Sequence, residues 1–213
     1  MAQITNSAFP CLIIIGLSLL LSTSGIFAES VRIGDINSSR RWVYLGGLTS
    51  EFDGSQEQAN RKVLDEIGKN IGISFIAVKP QTRCEDAQSQ LCWPYQTPDA
   101  LFKTEAQIRN EFRGERISGF IGFSNGAFFL NELVQHKQLR VPVIAIAGAG
   151  KISKGPKRNR HYLVISEKDL HYNSAKQLVE DAKATPLKVA FISYNDGQHV
   201  IPKAELNRLL ADI

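Results

Sequence analysis

The chain has no internal repeat, no low-complexity stretch and no motif typical of nucleic-acid binding. Its formal net charge of +4 is too small to indicate a polyanionic partner by itself. Cysteine is scarce, with 3 residues in 213, and no second pair of cysteines or histidines accompanies them as a zinc site would require. The composition that remains, 43% hydrophobic and 22% charged, is typical of one globular domain with a sizeable core.

Charge is absent altogether from residues 1–28, and residues 12–21 are almost wholly apolar. This pattern predicts a secretory signal peptide cleaved near Ala28, which leaves one mature domain over residues 29–213, exported to a periplasm or secreted. Two features are atypical, because no Lys or Arg precedes the apolar run and Pro10 lies at its entry. A retained membrane anchor is the alternative, since the uncharged stretch is long enough to span a bilayer.

Cysteine usage agrees with export. Once the signal peptide is removed, only Cys84 and Cys92 remain, and both lie in one polar loop. In an oxidising compartment the simplest interpretation is a disulfide that closes this loop. Two unrelated free thiols are the alternative.

Short apolar runs alternate with segments of helical spacing from Arg41 to the C-terminus. Such alternation predicts an α/β fold, a mostly parallel sheet with helices on both faces, whose functional sites lie at the carboxyl ends of the strands. Asp99 is predicted to cap the second helix and Pro202 to open the last one. The predicted strands are 31–36, 41–45, 73–78, 117–123, 141–147, 162–166 and 187–194, and the predicted helices are 56–69, 100–112, 125–137, 174–183 and 202–213.

The most informative stretch is Gly122-Phe123-Ser124-Asn125-Gly126, between a predicted strand and a predicted helix. The pattern Gly-x-Ser-x-Gly is typical of a strand-to-helix turn so tight that its central residue has a strained backbone. Glycines on either side keep the turn free of colliding Cβ atoms. The strain lifts the Ser124 hydroxyl above the sheet edge, at the positive end of the helix. An ordinary glycine-rich loop is the alternative.

A serine hydroxyl becomes a nucleophile only when a base takes its proton, and the base needs an acid to orient it. Of the four histidines, His199 directly follows the last predicted strand, at the same edge as Ser124. His171 also lies just past a strand end and is the second candidate. His136 falls near the end of the elbow helix, and His161 begins a strand at the opposite edge.

Two acidic residues follow the predicted strand 162–166. Glu167 is expected to be a solvated charge, whereas Asp169 lies further from the strand end and can reach across to a loop histidine. Asp196 is a poorer candidate, because it is too close in sequence to His199 to point at it easily.

The segments 122–126, 166–169 and 196–202 resemble, in that order, the nucleophile, acid and base segments of the α/β-hydrolase superfamily. The resemblance extends from about Arg41 to the C-terminus. It is closest to small serine esterases of the carboxylesterase and phospholipase type, in which Asn often follows the nucleophile. The chain has no stretch long enough for a separate cap domain, so a compact α/β-hydrolase fold is expected.

This resemblance implies an ester hydrolase with Ser124 as nucleophile, His199 as general base and Asp169 as orienting acid. It implies no metal and no cofactor, and a small-molecule or lipid ester as substrate. An acyltransferase that uses the same triad is one alternative. A catalytically idle α/β-hydrolase scaffold used for binding is another.

Hydrolysis by this route also needs N–H donors for the oxyanion. The elbow supplies the donor of Asn125, and alignment of the loop after an early strand assigns Leu48 as the second, with Gly47 as the alternative. The superfamily commonly has His-Gly in this loop, where the present chain has Gly46-Gly47.

A basic run follows the predicted strand 141–147. Such runs are usually solvated, but this loop begins at the active edge, so contact with an anionic substrate or a phospholipid surface is the alternative. Its members are Lys151, Lys154, Lys157, Arg158 and Arg160.

Overall fold

The computed structural model describes residues 30–49, 54–86, 89–137, 139–150, 160–185, 187–195, 197 and 199–213. The predicted signal peptide, the basic residues 151–158, and Asp196 lie outside the described residues. None of the described helices is long and apolar enough to cross a membrane.

Seven strands form one sheet in the order β1-β3-β2-β6-β7-β8-β9, and a separate two-stranded hairpin joins β4 to β5. Only β1 runs antiparallel to its neighbour, β3, and every other pair in the large sheet is parallel. The strands are β1 Ser30–Gly34, β2 Arg41–Leu45, β3 Ser74–Val78, β4 Thr82–Arg83, β5 Leu91–Cys92, β6 Gly119–Phe123, β7 Val143–Ile146, β8 Arg160–Ser166 and β9 Lys188–Tyr194. The helices are α1 Ser55–Ile71, α2 Pro98–Asn110, α3 Asn125–His136, α4 Tyr172–Lys183 and α5 Lys203–Asp212.

The central strands are buried on both faces, because every residue of β3, β6 and β7 is shielded from solvent. Alternate side chains of these strands enter different clusters. One face packs against α1 and α5 through Leu64 and Leu206, whereas the other packs against α2, α3 and α4 through Leu101, Phe129 and Leu178. The predicted parallel sheet with helices on both faces is therefore present.

Parallel pairing brings the carboxyl ends of β2, β6, β8 and β9 to one edge of the sheet. The segments that follow these ends begin at Gly46, Ser124, Glu167 and Asn195. All three segments of the predicted triad and the predicted oxyanion loop thus meet at that edge.

Two local expectations were wrong. Thr97 rather than Asp99 caps α2: its hydroxyl accepts from the Ala100 N–H at 3.2 Å, and Pro98 occupies the first turn, where a missing N–H costs nothing. Pro202 precedes α5 as its cap residue instead of opening the helix. The hairpin of β4 and β5 was not predicted, because two-residue strands carry no periodicity.

Candidate active site

Ser124 has the strained backbone that the elbow motif predicts. Its φ is 51° and its ψ is −115°, a conformation that few non-glycine residues adopt. A Cβ on Gly122 would lie 2.4 Å from the Gly126 carbonyl oxygen, and one on Gly126 would lie 2.2 Å from that of Leu45. Both glycines are therefore needed for the chain to turn at Ser124, which caps the N-terminus of α3.

The loop after β2 lies directly against this elbow. The Gly126 N–H donates to the Gly46 carbonyl at 3.1 Å. A Cβ on Gly47 would come within 3.1 Å of the Ser124 Cβ, so this loop approaches the serine as closely as a side-chain-free backbone allows. Leu48 follows with an exposed side chain. The two predicted N–H donors, on Asn125 and Leu48, thus belong to adjacent segments.

His199 and Asp169 form a close pair. His199 Nδ1 lies 2.8 Å from Asp169 Oδ2, and the other carboxylate oxygen accepts from the His171 backbone N–H at 2.8 Å. Asp169 is only 6% exposed, whereas the half-buried His199 ring packs 5.0 Å from the Phe123 ring, centroid to centroid. An ionised carboxylate only accepts hydrogen bonds, so the pairing places the imidazole proton on Nδ1 and leaves Nε2 free to accept one.

Two hydroxyl groups hold the loop that carries His199. Ser166, fully buried at the end of β8, donates from Oγ to the Gly197 carbonyl at 2.7 Å. Tyr194, at the end of β9, donates from its hydroxyl to the Val200 carbonyl at 2.9 Å. The carbonyls on both sides of His199 are therefore fixed to the sheet. Sequence reasoning did not find these two contacts, and the only available signal was their position as last residues of predicted strands.

Ser124 and His199 line the same cavity, which has a volume of about 380 Å³. Among the described residues no hydrogen bond joins the Ser124 hydroxyl to the His199 ring, although catalytic contacts of this kind often tighten only when substrate binds. Phe123, Gly47 and Leu48 also line the cavity. The structure thus brings together the elbow, the histidine and the predicted oxyanion loop around one open space.

A buried acid that sequence reasoning missed borders this cavity. Glu57, on α1, is 5% exposed and accepts from the Tyr44 hydroxyl at 3.2 Å, while Asn60 donates to the same hydroxyl at 3.3 Å. Burial, reinforced by the negative charge of Glu57, raises the pKa of Tyr44 well above its ordinary value. A Cβ on Gly46 would come 2.5 Å from Glu57 Oε2, so Gly46, in the loop where the superfamily commonly has His-Gly, makes room for this carboxylate.

The other histidines occupy distinct environments. The His171 ring lies 6.2 Å from that of His199 and 5.2 Å from that of Phe128, and burial is the main cause that lowers its pKa. His136 is exposed and lies 3.1 Å from Glu132. His161 is buried at the amino end of β8, where burial lowers its pKa to about 4.

The cysteine hairpin is anchored to the elbow and to the predicted oxyanion loop after β2. The Trp93 backbone N–H donates to Asn125 Oδ1 at 2.7 Å, and its indole N–H donates to the Gly46 carbonyl at 2.9 Å. Thr49 and Leu91 exchange backbone hydrogen bonds of 3.2 and 2.6 Å. The hairpin thus braces the segments that carry both predicted N–H donors.

Cys84 and Cys92 are free thiols in the structure. They lie on opposite arms of the hairpin, where Cys92 is buried and Cys84 is partly exposed. Burial, followed by the interaction with Cys84, raises the pKa of Cys92 to about 12. The two side chains are therefore close enough to interact, and the disulfide between them stays a prediction.

The sequence matches no family model and no curated protein. Solved structures match it over most of its length. Acyl-protein thioesterase 2 from Zea mays superposes with a TM-score of 0.67 at 16% identity, covering 87% of this chain and 99% of that one. A carboxylesterase from Mesorhizobium loti gives 0.63 at 15% identity, covering 89% and 97%. A carboxylesterase from Bacillus cereus gives 0.59 at 14% identity, covering 87% and 93%.

With a mostly parallel seven-stranded sheet and these neighbours, the chain has an α/β-hydrolase fold. At such low identities the likeness concerns the fold, and within that fold the solved structures named above are esterases and a thioesterase.

Proposed function

We propose that the protein is a serine hydrolase that cleaves carboxylic esters through an acyl-enzyme on Ser124. The observation that carries this proposal is the 2.8 Å pair of His199 and Asp169, whose histidine lines one cavity with a serine held at positive φ. That combination supports assigning Ser124 as nucleophile, His199 as base and Asp169 as orienting acid at one edge of the sheet. The names of the solved structures with this fold point to the same chemistry.

In the first half-reaction, His199 Nε2 takes the Ser124 hydroxyl proton as Oγ attacks the ester carbonyl. The imidazolium then gives this proton to the departing alcohol, and Asp169 stabilises the charged ring throughout. In the second half-reaction, the same nitrogen takes a proton from water as its oxygen attacks the acyl-enzyme carbonyl, and the imidazolium returns this proton to Ser124 Oγ as the acid is released. Serine, histidine and aspartate all return to their starting states.

The negative oxygen of each tetrahedral intermediate would be bound by the backbone N–H of Asn125, at the N-terminus of α3, and by that of Leu48 or Gly47. Each such donor contributes roughly 3 kcal/mol to transition-state stabilisation. The hydrogen bonds of Trp93 to Asn125 and Gly46 support this arrangement, because they hold the two segments together.

The test is labelling of the purified protein with a fluorophosphonate, read by peptide mass spectrometry, alongside hydrolysis of p-nitrophenyl esters of increasing acyl length. A single adduct on Ser124 and turnover that disappears in Ser124→Ala are expected. Ser193→Ala is the matched control, since Ser193 is an exposed serine on β9. A folded protein without adduct would favour the idle binding scaffold instead.

Acyl transfer is the alternative within the same chemistry. It is distinguished by product analysis with competing alcohols and amines. Preferential capture of the acyl group by such an acceptor, well beyond its share relative to water, would assign the protein as an acyltransferase.

Export belongs to the same proposal. The intact mass of the protein recovered from its native compartment should correspond to a chain that begins near Glu29, and Cys84 and Cys92 should resist alkylation until a reductant is added. A chain that retains residues 1–28 would instead support the membrane anchor.

A further inference from the structure

A second concave surface lies at the edge of the sheet opposite Ser124. It is a groove of about 1080 Å³ at the amino ends of β2, β6, β7 and β8, lined by four arginines, which are Arg40, Arg116, Arg140 and Arg160. Ser124 follows the far end of β6, and a strand of five residues spans about 16 Å. We call this surface the arginine groove, and it is separate from the candidate active site.

Among the residues that the structure describes, no acidic side chain balances the positive charge of the arginine groove. Arg116, Arg140 and Arg160 are exposed and form no ion pair within the described part of the chain, and no Asp or Glu is among the described lining residues. Glu115, the adjacent acid in sequence, is engaged by Arg32 and Arg41.

Two further groups, Arg40 and the C-terminal Ile213, change the net charge of the groove little. Arg40 donates to the carbonyls of Ile71 and Leu210, at 3.3 and 2.8 Å, which fixes the side chain without neutralising it. Ile213 also lines the groove, and a terminal carboxylate there would offset one positive charge at most. The four arginines give this one concave surface a local positive charge, whereas the sequence as a whole has a net charge of only +4.

Such an arrangement favours a multivalent anion. Like charges around one groove repel each other over roughly the 8 Å Debye length of physiological salt, and a bound anion relieves that repulsion. A guanidinium group presents a planar fork of donors that matches two oxygens of one phosphate group. The hydroxyls of Ser39 and Ser118 line the same groove and add neutral donors.

We propose that the arginine groove binds a ligand that carries two or more phosphate groups. The concave shape suits a compact polyphosphate or a cluster of lipid headgroups better than an extended polymer. This site neither overlaps the candidate active site nor depends on ester hydrolysis.

The direct test is calorimetric titration of the full protein with inorganic triphosphate, at an ionic strength held constant with sodium chloride. Arg140→Gln and Arg116→Gln should each weaken binding roughly tenfold, because each removes one charge-assisted contact. Arg208→Gln is the matched control, since Arg208 is an exposed arginine on α5 outside the groove lining, and it should bind like the original protein.

Thermal melting separates a lost binding site from a damaged fold. Without ligand, Arg140→Gln should melt at or above the temperature of the original protein, since it removes repulsion. With saturating triphosphate, the original protein should gain several degrees and Arg140→Gln should gain clearly less. If Arg140→Gln melts at a lower temperature than the original protein both with and without triphosphate, the substitution has damaged the fold. The same comparison with Arg116→Gln then tests the proposal.

Vesicles identify the source of the phosphate. Co-sedimentation with phosphatidylglycerol–phosphatidylcholine vesicles that is lost in Arg140→Gln, without binding of triphosphate, would assign a lipid headgroup as the ligand. The proposal is overturned if the original protein binds neither probe, if groove variants bind as tightly as the original protein, or if only a single-stranded oligonucleotide binds.

Discussion

At the residue scale, the backbone of Ser124 is strained, and this conformation holds its side chain in position. A φ of 51° is disfavoured for every residue with a Cβ, and residues held in such regions cost roughly 1–3 kcal/mol. Only a glycine escapes this cost. Substitution can therefore separate the two features of Ser124. Ser124→Ala removes the hydroxyl and keeps the backbone strain, whereas Ser124→Gly removes both.

Ser124→Gly and Ser124→Ala should both abolish ester hydrolysis, but they should differ in stability. Ser124→Gly should be more stable than Ser124→Ala by about 1 kcal/mol, because glycine adopts the positive φ freely while alanine retains the strained Cβ. Urea unfolding of the two variants measures the difference. Equal stabilities would contradict the view that this backbone is strained.

The hydroxyl of Ser166 is expected to position His199. Ser166→Ala removes the bond to the Gly197 carbonyl, so kcat should fall roughly 10-fold with little change in KM, while Ser166→Thr should keep much of the activity.

Two comparisons give this prediction its specificity. Ser193→Ala, on the exposed side of the neighbouring strand, should leave kcat unchanged. In a His199→Ala background, Ser166→Ala should have no further effect on the residual rate. A further loss in that background would mean that Ser166 acts through general stability and not through the histidine.

Among single residues, the sequence predicted Ser124, Asp169 and His199 as candidates because each follows the end of a predicted strand, and the structure brings Asp169 and His199 together. It did not identify Ser166 or Glu57. A serine in a strand and a glutamate in a helix carry no local signal, and their partners, Gly197 and Tyr44, are known only from the folded chain.

At the scale of elements, the hairpin of β4 and β5 braces the predicted oxyanion loop against the elbow. Its contribution depends on Trp93, whose ring is 3% exposed. The Gly46 carbonyl accepts from both the Trp93 indole and the Gly126 N–H, so loss of one donor does not leave it without a partner.

Trp93→Phe should reduce stability by about 2 kcal/mol, because it removes one hydrogen bond and leaves part of a buried volume unfilled, while it lowers kcat/KM several-fold by loosening the predicted oxyanion loop. Hydrolysis of a p-nitrophenyl ester and urea unfolding measure the two effects. Tyr95→Phe, which keeps the ring stacked on Phe128, is the control and should change neither. Unaltered kcat/KM in Trp93→Phe would show that the brace is dispensable.

The central strands of the large sheet, β3, β6 and β7, were predictable because they are buried on both faces and read as continuous apolar runs. The hairpin was not, since its two paired strands have only two residues each and one of them, β5, is held by a further bridge from Leu91 to Thr49. The placement of β1 beside β3, instead of beside its neighbour in sequence, is likewise a matter of pairing that no local pattern records.

At the scale of the whole molecule, His161 links stability to pH. Neither of its ring nitrogens has a hydrogen-bond partner among the described residues, and burial lowers its pKa to about 4, below the ordinary value of 6.5. Between these two pH values, His161 is protonated in the unfolded chain and neutral in the folded protein. The contribution of His161 to the free energy of unfolding is thus fully present above pH 6.5. It falls as the pH drops towards 4, by about 3 kcal/mol in all.

His161→Leu should remove this part of the pH dependence. The variant should be at least as stable as the original protein at pH 7, since it replaces unpaired buried nitrogens, and clearly more stable at pH 4.5. Urea unfolding at both pH values checks this, with His136→Gln, an exposed histidine on α3, as control. Parallel stability curves for His161→Leu and the original protein would contradict it.

By itself, the sequence determined the alternation of strands and helices, the tight turn at Ser124, and the edge of the sheet where the candidate functional residues collect. These follow from periodicity, from glycine at positions where a Cβ would collide, and from the rule that parallel strands end at one edge. Tertiary structure alone decided which oxygen of Asp169 meets His199, which hydroxyls hold the histidine loop, and that four arginines separated by up to 120 positions line one groove. The reason is physical: these relations depend on distances between residues far apart in the chain, and only the packed core sets those distances.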